Sequence, residues 1–304
     1  MPGLPFNPDT DISDLSGKVI FITGGTAGLG AESTVQLAKH APARIYISGR
    51  NAKSAESVIK QVADTGSTTE VSFIECDLAS LASVKTAAEN LLARESRLDI
   101  LMCNAGIMAR PQGLTQDGYE VQFGTNHLGH ALLIQKLLPL LQQTAQAGAD
   151  VRMVILSSDA WRLHPCGGIS LDDLKTTQDW AFGAWRRYSQ SKLANLVYAR
   201  ELARRYPDIT TVSIHPGVVR TGLVENLDRA NRWFVYATTF TQMVMPEEGA
   251  YNQLWAATVS KDRLQNGQYY EPLGVLTDKL DATAKDDKLA QKLWDWTQEA
   301  LRGF

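Results

Sequence analysis

Cysteine is scarce in this chain of 304 residues: Cys76, Cys103 and Cys166 are too far apart for a CxxC metal pair, and an odd count leaves one outside any disulfide scheme. That usage predicts a reducing, cytoplasmic setting. An excess of charge of one sign is also lacking. With 30 basic and 33 acidic side chains the net charge is −3, which argues against a general nucleic-acid binder. Long apolar runs are missing: stretches such as Phe234 to Met245 fall short of the roughly 20 residues that span a bilayer, so no integral membrane segment is predicted. The first dozen residues have neither the basic and apolar regions of a secretory signal nor an Arg-rich transit pattern, and residues 1–14 read as a surface arm. No segment repeats and no low-complexity linker divides the chain, so residues 15–304 are expected to form one domain.

What is present is enough apolar material for a large core, at 44% hydrophobic and 21% charged residues. Short runs rich in β-branched residues predict buried strands at Val19 to Thr23, Arg44 to Ser48, Val71 to Glu75, Ile100 to Cys103, Val151 to Leu156 and Thr211 to His215. Between them, amphipathic stretches predict helices over Ala31 to Lys39, Ala52 to Ala63, Leu81 to Arg94, Tyr119 to Gln143 and Ala184 to Tyr206. Strict alternation of strand and helix calls for an α/β Rossmann-type fold, a doubly wound, mostly parallel sheet with helices on both faces. Its ligand site lies outside the carboxyl ends of the strands.

The first strand runs into Thr23-Gly24-Gly25-Thr26-Ala27-Gly28-Leu29-Gly30 and then a helix. Gly24 permits a tight turn, Gly28 lets the backbone approach a pyrophosphate, and Gly30 lets helix and strand pack closely. A glycine-rich β–α turn without a ligand is the bland alternative. The second strand ends Ser48-Gly49-Arg50-Asn51, without the acid that usually accepts from the ribose hydroxyls of NAD, and Arg50 could pair with a 2′-phosphate. NADP(H) is therefore the expected cofactor and NAD(H) the weaker fit, against the alternative that Arg50 is a plain surface residue. Asp77 and Leu78 follow the third strand, where Asp77 can approach the adenine amino group. Asn104-Ala105-Gly106 offers a small-residue turn after the fourth; both segments could equally be caps or turns.

Tyr188 and Lys192 stand four apart on one face of a predicted helix, so an ammonium is available to stabilise a phenolate and bring the phenol into working range. Tyr188 can give a proton to a carbonyl oxygen or take one from an alcohol. Ser158, at the end of the fifth strand, can polarise the same oxygen. Alone, a Tyr-x-x-x-Lys pair is usually an ordinary amphipathic surface.

Together these segments resemble the short-chain dehydrogenase/reductase family, from Leu15 to about Pro272. Its TGxxxGxG signature matches Thr23 to Gly30, its Asn-Ala-Gly turn matches Asn104 to Gly106, and its YxxxK matches Tyr188 to Lys192. The resemblance implies Ser158, Tyr188 and Lys192 as the catalytic triad, with Asn126 as a fourth member supporting a water that links the lysine to solvent. It implies cofactor contacts at Gly24, Thr26, Gly28, Leu29, Gly30, Arg50, Asp77, Leu78, Asn104, Ala105, Gly106, Tyr188 and Lys192. His215-Pro216-Gly217 and the residues that follow match the segment cradling the nicotinamide, adding Pro216, Gly217, Val219 and Thr221.

Asn104-Ala105-Gly106-Ile107-Met108 and Asn126-His127-Leu128-Gly129-His130 are similar to the retinol-dehydrogenase-like branch, from which the chain departs by lacking an amino-terminal anchor. Insertions are expected at about 159–187 and 221–246, the first being the 29 residues between Ser158 and Tyr188. Trp161, His164, Trp180, Phe182 and Trp185 in one, and Leu223, Trp233, Phe234, Tyr236, Phe240, Met243 and Met245 in the other, are expected to wall an apolar pocket, unless they complete the core or an oligomer interface. The implied substrate is a small hydrophobic ketone or alcohol, with secondary metabolism as the setting. His127 and His130 are expected as core or capping histidines without a metal; in the tail Trp294 and Trp296 are expected to pack against the body, and Lys285 to Lys288 to form a solvated helix face. The two longest helices offer surfaces for a homodimer. The other readings are a dehydratase or epimerase of nucleotide sugars, and a non-catalytic nucleotide sensor on the same fold.

Overall fold

The β-branched and aliphatic runs become strands of one sheet in the computed structural model, which describes residues 3–219 and 243–304 together with 224, 227, 231–233 and 236. Five of them are inner strands and one, Glu70–Glu75, is a partly exposed edge where a buried strand was expected. In chain order these strands are β1 Val19–Thr23, β2 Arg44–Gly49, β3 Glu70–Glu75, β4 Ile100–Cys103, β5 Arg152–Leu156 and β6 Thr210–Ile214. Each agrees with its expected run to within a residue. Val218–Val219 (β7) and Met243–Val244 (β8) pair separately, and Tyr269–Glu271 (β9) and Val275–Leu276 (β10) extend the main sheet. The order is β10-β9-β6-β5-β4-β1-β2-β3, parallel throughout except for the β9–β10 pair. β9 and β10 escape the sequence reading because they are short and flank a Pro-Leu-Gly turn.

Alternation along each strand sends neighbours to opposite faces. Val19 and Phe21 of β1 join one core, while Ile20 and Ile22 join the other. A short turn, α1 (Pro8–Asp11), precedes the sheet; α2 (Gly28–Ala38), α3 (Ala52–Asp64) and, beyond the turn α8 (Pro246–Gly249), α9 (Tyr251–Thr258) cover one face. The other face carries α4 (Leu81–Leu92), α5 (Val121–Phe123), α6 (Gly129–Gln146), α7 (Gly183–Arg205) and α10 (Asp287–Ala300). Ile12 and Leu15 are buried, so the amino-terminal arm is docked on the body.

One expectation about helices is corrected. The stretch Tyr119 to Gln143 is not one α-helix: Gly124–Leu128 forms a π-turn between α5 and α6. Glycines at both ends permit it, because a Cβ at Gly124 would stand 2.3 Å from Thr115 and one at Gly129 2.5 Å from the Leu78 carbonyl. At the start of the last helix Lys285 to Lys288 are exposed, Asp286 caps α10, and Leu289, Leu293 and Trp294 bury the opposite face. That face lies across the helices offered for a dimer. Tyr198 of α7 stacks on Trp294 at 5.4 Å, Trp296 meets Tyr119 and Phe123 edge-on, and Lys136 of α6 reaches the Phe304 carboxyl terminus.

Candidate active site

Gly24 has a left-handed φ of +65°, and a Cβ there would stand 3.0 Å from Ala105. Gly30 is tighter: its Cβ would meet the Gly24 carbonyl at 2.3 Å and the Asn104 amide at 2.5 Å. The glycine loop is therefore folded against the turn after β4. α2 begins behind this loop with Ala27 at its N-cap and no side chain capping it, so its first N–H groups are free for an anion. Those features fit a dinucleotide pyrophosphate.

Asn104, expected to contact cofactor, spends its side chain on the protein. Its amide donates to the Thr23 carbonyl at 2.8 Å, and its Oδ1 accepts from Gln253 at 3.2 Å. Gln253 of α9 also donates to Ser33 at 2.6 Å, tying α9 to α2. Nothing in one sequence singles out Gln253. Asp77 turns one carboxylate oxygen onto the Ala79 N–H at 3.0 Å, and buried Leu78 backs Gly129. Arg50 is exposed one residue beyond Gly49, where a Cβ would stand 2.7 Å from Thr26, so the end of β2 adjoins the loop. Gly217, beyond Pro216, has φ +94°, and Val219 packs on Gly249 and Leu29. Thr221 lies outside the described residues.

The acid–base residues do converge. Tyr188 is buried in the second turn of α7, with Ser158 within hydrogen-bonding reach at the end of β5. The Ser158 oxygen accepts the Ala160 N–H at 3.2 Å, which leaves its own proton to donate. Lys192 lies one turn on, its Nζ donating to the Leu156 carbonyl at 3.1 Å. Gly106 admits both Lys192 and Asn126: a Cβ there would stand 3.5 Å from Nζ and 3.2 Å from Asn126 Oδ1. Asn126, on the π-turn, clasps the backbone of Ile107 through both amide atoms, at 2.8 and 2.9 Å, and donates to Ser191 at 2.9 Å.

The electrostatics differ from the expectation drawn from spacing. Burial pushes the Tyr188 phenol up to about 12, opposed only by the Ser158 hydrogen bond, and pushes Lys192 down to about 8. Lys192 Nζ stands 5.7 Å from the centre of the Tyr188 ring, and desolvation of both groups outweighs their attraction. The phenol thus keeps its proton at neutral pH, as a proton donor to an oxygen must.

The aromatics separate. Trp185, on α7 one turn before Tyr188, sits edge-on to it at 6.3 Å and donates to Asn231 at 2.7 Å. With Met108, Ala109, Val218, Val224, Leu227 and Tyr236 it forms a small apolar cluster beside the phenol. Trp161 instead fills the main core and His164 pairs with Asp281 at 3.0 Å, so neither walls a pocket. Trp180 is half-buried under the Arg186 guanidinium, and Phe182, Trp233 and Met245 are exposed. Leu223, Phe234, Phe240 and the Met243 side chain lie outside the described residues. Among the described residues no cluster could hold a metal ion, and no helix is long and apolar enough to cross a membrane.

A glycine loop at the carboxyl edge of a doubly wound sheet, facing a buried Tyr–Lys pair, defines a nicotinamide-dependent dehydrogenase or reductase acting on CH–OH or C=O. Residues 18–165 match the family described as short chain dehydrogenase. An uncharacterized oxidoreductase of Schizosaccharomyces pombe is 37% identical over 95% of this chain and 86% of its own length. Human retinol dehydrogenase 14 is 35% identical over 92% of this chain and 85% of its own. The crystal structure of an uncharacterized Mycobacterium paratuberculosis protein, 30% identical, superposes over 97% of both chains with a TM-score of 0.75. The chain belongs to the short-chain dehydrogenase/reductase family, in its retinol-dehydrogenase-like part.

Proposed function

We propose that this protein is a cytoplasmic NADP(H)-dependent oxidoreductase that interconverts a ketone and a secondary alcohol on a bulky apolar small molecule, in secondary metabolism. The observation that carries the reading is the buried, protonated Tyr188 phenol beside the Ser158 hydroxyl, with Lys192 between it and the Gly106 turn. Ser158 donates to the substrate oxygen, and Tyr188 delivers its proton to that oxygen as negative charge develops there. A nicotinamide held by these residues would supply the hydride in reduction and accept it in oxidation. Lys192 stabilises the phenolate left behind, and its remaining N–H groups are available to ribose hydroxyls; Asn126 holds the Ile107 turn beside it. Gly24, Thr26, Gly28, Leu29 and Gly30 would hold the pyrophosphate, Asp77 and Leu78 the adenine end, and Pro216, Gly217 and Val219 the nicotinamide end; Thr221, assigned there by family likeness, lies outside the described residues. Arg50 supports the phosphorylated cofactor, because it stands beside the loop and the end of β2 offers no acid. The Trp185 cluster favours an apolar substrate.

The test is NADPH consumption over a panel of hydrophobic ketones. Tyr188→Phe is expected to lower kcat by about a thousandfold, as for loss of a general acid, and undiminished turnover would refute the mechanism. Arg50→Asp is expected to weaken NADPH by about tenfold or more, with NADH little changed, given the loss of a charge-assisted phosphate contact. Equal affinity of the wild type for both cofactors would remove the Arg50 argument. Tight NADPH binding without turnover on the whole panel would favour a sensor instead.

A further inference from the structure

Behind the glycine loop, a chain of hydrogen bonds ends on a histidine that the acid–base chemistry does not use. His130, in the first turn of α6, is 2% exposed, and both of its ring nitrogens are engaged. Nδ1 lies 2.9 Å from the backbone carbonyl of Asn126, and Nε2 lies 2.8 Å from the Thr23 hydroxyl. A carbonyl only accepts, so Nδ1 carries the proton and Nε2 accepts from Thr23. Thr23 Oγ1 in turn accepts the backbone N–H groups of Asn104 and Ala105, each at 3.0 Å. Its other acceptor, the Met102 carbonyl, is at 3.4 Å, too long to compete well. The direction of every proton in this chain is therefore fixed. Burial lowers the imidazole to about 4, so the ring remains neutral through the ordinary working range.

The two ends of the chain are functionally unlike. Thr23 ends β1 and leads directly into Gly24, the first residue of the loop. Asn126 clasps Ile107 and stands with Lys192 against Gly106. An apolar side chain of similar volume would pack in the same space but remove the short acceptor of the Thr23 hydroxyl, whose other acceptor is 3.4 Å away, and the side-chain donor to the Asn126 carbonyl. We propose that His130 is a positioning residue that joins the dinucleotide loop at Thr23 to the π-turn carrying Asn126, whose amide donates to Ser191, the residue before Lys192, so that cofactor binding and placement of the lysine are set together. The inference rests on the dinucleotide reading of the loop given above.

The test uses the full chain, NADPH titrated by fluorescence, and steady-state kinetics on a ketone that the wild type reduces. His130→Leu is expected to raise the NADPH Kd and lower kcat, each by about tenfold, with ketone KM unchanged, as for removal of one partner from buried hydrogen bonds. His130→Gln, which can still accept from Thr23, is expected to recover the Kd to within about threefold of wild type. Thr23→Val breaks the same link from the other end, and adding His130→Leu to it should cost little more, the mark of two residues acting as one unit. A folded His130→Leu protein with lowered thermal stability but wild-type Kd and kcat would overturn the proposal, as would fully additive losses in the double variant. Should His130→Leu not fold, Thr23→Val decides: unchanged Kd and kcat overturn the link. A wild type that binds neither NADPH nor NADH overturns the dinucleotide reading and this inference together. Binding that is indifferent to His130 overturns the inference alone.

Discussion

The half of the molecule around the glycine loop and the half around residues 159–187 are shaped by opposite means. At the loop, space is defined by what cannot be added: a Cβ at Gly30 has no room, and the Asn104 amide, the Thr23 hydroxyl and the Gln253 Nε2 are spent on neighbouring backbone and side chains. Around the second region, space is defined by large side chains. Trp185 stands at the phenol, while Phe182 is 89% and Trp233 72% exposed. A site shaped by backbone closeness takes a constant ligand, and a site shaped by rings changes its ligand when the rings change. The common fold thus keeps its cofactor while the substrate varies.

The largest effect that tests this contrast is expected from acid. His127 and His130 are buried neutral, with pKa values lowered to about 3 and about 4 by desolvation. An unfolded chain takes up their protons near pH 6.5 whereas the folded chain does not, so stability falls as pH drops from about 6.5 towards 4, by on the order of 5 kcal/mol for the pair. Urea midpoints at pH 7, 5.5 and 4.5 measure it, and a flat profile would show that these histidines are not sealed in. Next comes Gly30→Ala, expected to destabilise by about 3 kcal/mol because the colliding atom is a backbone oxygen, and to weaken NADPH in parallel. A melting temperature within a degree or two of wild type would break the claim that the loop has no spare room. The smallest is Phe182→Gly. The residue has φ +56° and its ring is in solvent, so stability should stay level or rise by up to about 1 kcal/mol, while KM for bulky ketones shifts if the ring borders their entry. A loss of more than about 2 kcal/mol, outside the surface range, would place Phe182 in the core instead.

The same division sets what was legible in the sequence. Strands β1, β4 and β5 are largely apolar runs, because both faces of an inner parallel strand are covered, whereas the edge strand β3 carries Glu70, Ser72 and Glu75; the glycine loop is legible because glycine alone adopts its left-handed turn and leaves room for its close contacts. Tyr188, Lys192, Ser158 and Asn126 were identified correctly as neighbours, through spacing and family likeness. How far burial raises the Tyr188 phenol and lowers the Lys192 ammonium is not legible, since spacing cannot report burial. Trp161 and His164 were placed at the pocket because they lie between Ser158 and Tyr188 in sequence, yet one fills the core and the other pairs with Asp281. Composition alone does not say which way an aromatic ring turns. Gln253 and the π-turn were invisible, the first because its partners are over 140 residues away, the second because it depends on Thr115 and Leu78 packing onto two glycines.

The closure of α7 by α10 bears on how local opening would reach the site. Arg205 lies over Trp294 at 4.3 Å, Arg200 pairs with Asp287, and buried His127 of the π-turn meets Thr297 at 3.3 Å. The outer side of the helix that carries Tyr188 is thus closed by a segment about a hundred residues further along the chain. Local opening of α10 would bare the apolar face of α7, so amide exchange in the two helices should rise and fall together.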